Sequence, residues 1–474
     1  MAEAQMSVPH GSHAIGLVPA LAFGVGSVVG GGVFTLSGTA INMAGPWAIT
    51  SYLIAAVVMF LCALSFVVVS GRAKPGESGY GPVGDILSPF WRFITMWGFY
   101  LNGATIIAFL LVSFGDYLEG YFLHGISPIL LGCIAAIAIV ALNLGQTDTV
   151  AKAETGIVGL KLVILVVFAV WGMLELRAPV FERAPPQGAA GVFAAAALVF
   201  TAYTGFNVIA NMAGSIHNPR KTVPRAMLLT LVVSTLIYIG VILAMLASGI
   251  TDFQTVGVAQ AADVIIGPIG GLLIAFAACL STLSGANAML LGSSEIVIRL
   301  VARGDIPPVF GRSLSRGHPY GSVIFLGAVS ILLVLFADTT FIVSIASAAA
   351  AIAMVVVSVA ATVLAIKGWP GDGPRLPLGP TLPIIAVIVT AAQLPSLGFW
   401  PVVVTIALVA LGGVLYAFRL TVAHGEGRRQ RATERINALD TPLMRGMRHR
   451  TNAVNGTDGA ESGPGNESST DSAP

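Results

Sequence analysis

The sequence predicts an all-α integral membrane protein of twelve transmembrane helices, two of them interrupted at membrane depth. Three observations carry this. Of 474 residues, 56% are hydrophobic and only 10% charged, whereas soluble domains carry about 25% charged residues. Twelve apolar runs come close to or exceed the ~20 residues that cross a bilayer core. The first run contains the triplet Gly30-Gly31-Gly32, and glycine costs roughly 1 kcal/mol per residue in a helix interior.

The runs fall at 14–43, 48–70, 91–115, 127–145, 154–176, 190–214, 225–249, 266–300, 320–337, 340–366, 378–396 and 399–419. The eighth is long, and its C-terminal third is expected to leave the membrane on the cytoplasmic side. With the N-terminal segment 1–13 inside, 21 of the 24 Lys and Arg residues fall on inward segments, including eight arginines from Arg419 onward. Outward loops hold Arg177 and Arg183 only. This one-sidedness predicts cytoplasmic termini and a multi-pass protein of the cell membrane. Segment 1–13 has no basic n-region, so the first run is expected to be retained rather than cleaved. The tail 420–474 ends in a polar, Gly/Ser-rich stretch expected to be disordered. A net charge of +2 gives no sign of nucleic-acid binding. Cys62, Cys133 and Cys279 lie in apolar runs without CxxC spacing, so neither disulfides nor a metal site are expected, and no cofactor is implied.

The first span reads "GSVVGGGVF". Starting near Ile15, Gly30 lies ~22 Å along it. Backbone leaves helical geometry at that depth only where it lines a cavity or is buried in protein. A break there exposes N–H groups at the positive end of the second half-helix, which suits a carboxylate. The alternative is close helix packing through Gly26 and Gly30, although that spacing does not need the triplet. The sixth span, "VFTAYTGFNVIANMAGSIHNP", clusters Thr201, Tyr203, Thr204 and Gly205 between Phe200 and Phe206. Breaks at corresponding positions of two halves point to an inverted-repeat, broken-helix transporter fold. Spans 1–5 (14–176) and 6–10 (190–366) are then a 5+5 inverted repeat, with helices 11 and 12 (378–419) appended.

Three stretches resemble the amino acid–polyamine–organocation superfamily of amino acid permeases. "GSVVGGGVFTLSGTAINMAGP" is similar to its glycine-rich first span, and "FTAYTGFNVIANMAGSIHNPRKTVPRA" to its sixth span and exit. "RLVARGDIPPVFGR" is similar to the loop after its eighth span, with Gly304 and Asp305 in swapped order. An acidic residue often found late in span two is missing from "SFVVVSG", and Ser215 stands where Asp or Glu is common. The resemblance implies secondary transport of amino acids by alternating access. It implies that the α-carboxylate meets the N–H groups of Gly30, Gly31 and Gly32, and the α-amino group carbonyls around Phe200, Thr201 and Tyr203. The side chain would face Phe200, Phe206 and residues near Asn102, with Gly205 at the break. The other reading of Phe200 and Phe206 is core or lipid packing.

No Asp or Glu lies in the middle of spans 1, 3 or 6, and none of these spans buries an Arg. A neutral substrate side chain is therefore expected. Lys161 is the sole Lys or Arg well inside a span, ~10 Å from the inner face. An intramembrane lysine is costly and by default functional. Ser281, Thr282 and Ser284 lie ~21–26 Å into span eight from outside. The resemblance implies that the Lys161 ammonium replaces a sodium ion between spans 1 and 8, making protons the coupling ion. The alternative is a lysine that snorkels to the inner headgroups. A substrate exchanger without proton coupling shares all these motifs, and a membrane amino acid sensor is a more distant reading. No His/Asp/Glu cluster or Ser/His pairing within the spans suggests an enzyme. Oligomeric state is left open.

Overall fold

The computed structural model describes residues 16–419 apart from 74–77, 145–148, 177–180, 212–215, 308–309, 311–319, 337, 368–375 and 377. Segment 1–13, the tail 420–474 and Ser215 lie outside the described residues. The chain divides at Ala417. Met1–Tyr416 is one compact unit. Of the second, Ala417–Pro474, the described part is 417–419, the end of the last helix.

Among the described residues every regular element is helical. The first expected span is two helices, α1 (Leu17–Val28) and α2 (Gly31–Ala44). A 3-10 turn leads to α3 (Ala48–Ser70), followed by the short α4 (Pro82–Ile86), α5 (Pro89–Tyr121), α6 (Pro128–Leu144) and α7 (Thr149–Glu175). The sixth expected span is α8 (Gly188–Val199), a 3-10 turn at Phe200–Tyr203, and α9 (Val208–Asn211). Then come α10 (Pro219–Ala247), α11 (Gly257–Ile265), α12 (Pro268–Ala302), α13 (Tyr320–Phe336), α14 (Thr339–Ile366), α15 (Thr381–Ala392) and α16 (Phe399–Arg419). Among the described residues eight segments are long and apolar enough to cross a membrane. Four shorter apolar helices, Leu17–Val28, Pro128–Leu144, Tyr320–Phe336 and Thr381–Leu397, occupy other expected runs.

Local chemistry fixes the helix ends. Ser88 is extended (φ −171°, ψ 163°) ahead of Pro89, because the residue before proline is kept out of the α region and proline suits the first helical turn. The Asp338 carboxylate caps α14 by accepting from the N–H groups of Thr340 (3.0 Å) and Phe341 (3.3 Å). The α12 terminus explains the swapped Gly304-Asp305 pair. Gly304 takes a left-handed φ of 75°. Its N–H donates to the Val301 carbonyl, and the Asp305 N–H donates to that of Leu300. That is a Schellman cap, and the left-handed position favours glycine.

A helix can outrun its apolar stretch. The helix expected from 225 starts at Pro219, because exposed Arg220, Lys221 and Arg225 form its first turns. Apolar length measures what lipid must cover, not where hydrogen bonding stops. The nine-residue α11, too short to cross a membrane, was not expected.

The helix α5 is central. It packs along α12 and α14, and its apolar middle, Phe93–Val112, is almost entirely buried. Peripheral helices turn apolar faces outward, as with Ile137 on α6, Val163 and Val170 on α7, and Val414 on α16. Apolar exposure on this scale marks a surface that meets something other than water.

Candidate functional site

The two breaks meet at the centre of the first unit. At the end of α1 the Val29 N–H donates to the Val25 carbonyl (2.7 Å) and the Gly30 N–H to that of Val28 (2.8 Å). The helix α2 restarts at Gly31 with no side-chain cap. The N–H groups of Gly31, Gly32 and Val33 therefore have no acceptor within the helix and form the positive end of its dipole. In the other break, α8 tightens into the 3-10 turn, Thr204 is extended (ψ 155°), and Gly205 turns at φ 114°. A Cβ on Gly205 would lie 3.1 Å from the Ser27 carbonyl oxygen, so its backbone abuts the end of α1.

Between the breaks lies a cavity of ≈ 50 Å³. Its polar wall is the broken backbone with Ser27, Thr201 and Thr204. Its apolar wall comes from Leu36, from Ile106, Phe109 and Leu110 of α5, and from Gly285 and Met289 of α12. None of the lining residues is charged. The glycines have separate tasks. A Cβ on Gly31 would lie 2.2 Å from a Leu110 methyl and 2.8 Å from the Thr282 methyl, and one on Gly32 would lie 3.0 Å from Ala202 Cβ. On Gly30 nothing lies nearer than 3.9 Å, so the space there belongs to the cavity. Gly26 is the packing glycine, since a Cβ would come within 2.5 Å of Val158.

Of the residues singled out from sequence, Gly30, Gly31, Gly32, Thr201 and Thr204 line this cavity. The others are not among its lining. Asn102 is buried, and its side-chain amide donates to Thr201 Oγ1 (3.2 Å) and to the Ala346 carbonyl (2.9 Å). It thereby ties the second break to α5 and α14. Phe200 and Phe206 are fully buried, Phe206 edge-on to Phe66. The Tyr203 hydroxyl donates to the Tyr52 carbonyl (3.1 Å). Lys161 is 2% exposed, and its Nζ donates to the Gly26 carbonyl (2.9 Å). Thr282 Oγ1 bonds back to its own helix at Ala278 (2.8 Å). Ser281 Oγ is buried without a hydrogen-bond partner, and Ser284 is half-buried nearby on α12. Among the described residues no group of His, Cys, Asp or Glu is arranged to hold a metal ion.

Sequence reasoning missed Tyr238. Its single hydroxyl proton is shared between the Val28 carbonyl (2.8 Å) and the Ala202 carbonyl (2.9 Å), one from each break. Its ring packs against Tyr52 and Tyr203. The available signal was a lone tyrosine within the seventh run, "TLIYIGV". A second unforeseen contact joins Asn207, beyond the second break, to the Tyr80 hydroxyl. Tyr80 itself stacks on Phe99.

The chain is similar to the inner membrane transport protein YbaT of Escherichia coli, at 28% identity over 82% of this chain and 90% of YbaT. It is similar to the branched-chain amino acid permease BcaP of Bacillus subtilis, at 26% over 83% and 90%. The serine/threonine exchanger SteT of Bacillus subtilis matches at 26% over 64% and 71%. The family model described as amino acid permease matches residues 15–423, and the chain belongs to the amino acid permease family.

Proposed function

We propose that this permease is a proton-coupled symporter of neutral amino acids in the cell membrane. Its twelve spans form a five-plus-five inverted repeat with two appended helices and cytoplasmic termini. The α-carboxylate binds the N–H groups at the start of α2, and the α-amino group binds the broken backbone near Thr201. The uncharged lining supports a neutral side chain, since a charged one at this depth would want a buried partner.

The observation that carries proton coupling is the buried bond from Lys161 Nζ to the Gly26 carbonyl. A side chain 2% exposed and aimed at α1 is not snorkelling to the surface. A charged donor makes a bond roughly twice as strong as a neutral one. Protonation therefore holds the end of α1, and deprotonation loosens it. Linking that change to which side of the membrane the site faces gives alternating access.

The test is uptake of labelled amino acids into proteoliposomes under an acid-outside pH gradient without sodium. The expected result is accumulation that collapses when the gradient is dissipated and is lost in Lys161→Ala. The second reading, exchange, is favoured by the likeness to SteT. Uptake that requires amino acid loaded inside, with Lys161→Ala unimpaired, would make exchange correct and the lysine structural. Relatives named for branched-chain and for hydroxylated substrates match at the same 26%, so overall identity does not choose the substrate.

A further inference from the structure

We propose that Leu110 sets the length of the substrate side chain and restricts the site to small neutral amino acids. The inference rests on the cavity being the amino acid site. Leu110 is 4% exposed and wedged between two glycines on different helices. A Cβ on Gly31 of α2 would lie 2.2 Å from Leu110 Cδ2, and one on Gly285 of α12 would lie 3.2 Å from Cδ1. Each methyl thus occupies the notch left by a missing side chain. Both notches border the cavity, so the leucine closes space that would otherwise be continuous with it.

The size of the remaining space decides what fits. The cavity is small, ≈ 50 Å³ against the ~10–15 Å³ that a single water needs, which favours an amino acid with a short side chain. The polar groups lie on the broken backbone. A substrate oriented by them directs its side chain towards Ile106, Leu110 and Met289, where the wall is apolar. With Leu110 in place, a branched or long side chain meets the two methyls before it reaches the α12 notch.

The experiment measures competition in proteoliposomes. Labelled alanine uptake is inhibited by unlabelled glycine, alanine, serine, valine, leucine and methionine in wild type, Leu110→Ala and Leu110→Val. Wild type should rank glycine, alanine and serine well ahead of leucine and methionine. Discrimination of a methylene in an apolar pocket runs from about 10- to 200-fold. Leu110→Ala should therefore lower the half-inhibitory concentration of leucine relative to that of alanine by at least about tenfold. Leu110→Val should move it part of the way and covers the case in which the alanine variant does not fold. Gly285→Ala, pressing on Leu110 from the opposite side, should weaken serine relative to glycine. Wild-type uptake with leucine as good a competitor as alanine overturns the size limit. An unchanged ranking in folded Leu110 variants overturns the assignment to this residue. A wild type that takes up none of the twenty amino acids overturns the transport reading as well.

Discussion

Removing one oxygen, in Tyr238→Phe, tests whether the two breaks act as one unit. The ring and its packing against Tyr52 and Tyr203 are kept. The bonds lost are those to the Val28 and Ala202 carbonyls, at 2.8 and 2.9 Å. The Val28 carbonyl retains the Gly30 N–H, so the cost falls mainly at Ala202. A net hydrogen bond is worth about 0.5–1.5 kcal/mol, and a buried acceptor left unmade costs about 1–3. The expected loss of stability is therefore about 1–3 kcal/mol, read as a lower unfolding temperature in detergent. The same energy applied to the geometry of the site corresponds to roughly 5–150-fold in coupling, read as a drop in kcat/KM for uptake. The control is Tyr203→Phe, which loses the bond to the Tyr52 carbonyl and borders no part of the cavity. It should lower the unfolding temperature with a smaller effect on uptake. If Tyr238→Phe transports normally, or if both variants lose stability and transport in equal proportion, the hydroxyl does not couple the breaks.

Three other substitutions separate local roles. Gly31→Ala should lower uptake by displacing the Leu110 and Thr282 methyls that its Cβ meets at 2.2 and 2.8 Å, whereas Gly30→Ala should fold normally and weaken substrate binding by filling the cavity. Equal expression and equal loss in both would remove the distinction. Asn102→Ala should lower transport without altering the substrate ranking, since the amide holds Thr201 and the Ala346 carbonyl from behind the site; a changed ranking in competition assays would place it in contact with substrate. In the loop after α12, burial raises the pKa of Asp305 against the opposing pull of Arg92 and Arg303. The folded state then binds more protons than the unfolded one above the usual carboxylate pKa of ~3.9, so stability falls as pH rises through that window. Asp305→Asn should flatten this slope in unfolding temperatures measured from pH 4 to 8, and an unchanged slope would assign it to other groups.

Much of this architecture was legible because a bilayer simplifies the code. Apolar runs locate helices, and a glycine triplet within one run signals a break that lipid would not tolerate. The sixth-span break was legible from Thr201 to Gly205 for the same reason. The division of labour among the residues was not legible. Phe200 and Phe206 look like ligand-facing aromatics, yet both are buried in the core. The apolar wall of the cavity comes instead from Ile106, Phe109, Leu110 and Met289, residues that any membrane helix carries in quantity. Their role depends on which helix face meets the breaks, and a central helix such as α5 is apolar along most of its length and buried on nearly all sides. Tyr238 was hidden because one tyrosine in a span says nothing about which carbonyls its hydroxyl reaches.

The anchors on the first broken helix are unequally shared, and this bears on how it would move. The second half, α2, is held by a reciprocal pair. The Asn42 amide donates to the Phe253 carbonyl (2.7 Å), and the Phe253 N–H donates back to Asn42 Oδ1 (2.8 Å). The Tyr117 hydroxyl adds a bond to the Phe34 carbonyl (2.6 Å). The first half, α1, is gripped at its end by Lys161 on Gly26 and by Tyr238 on Val28. Its early residues Val18 and Phe23 are exposed at 74% and 42%. Between the halves, Val29 and Gly30 follow neither helix. On the proposed mechanism a proton leaving Lys161 should therefore free α1 and leave α2 in place, with Gly30 as the hinge. Hydrogen exchange tests this directly. Lys161→Ala should raise amide exchange over residues 17–28 well above wild type, while residues 31–44 exchange as before. Equal acceleration of both halves would mean that the lysine stabilises the bundle as a whole, and the bond to Gly26 would then be structural rather than a switch.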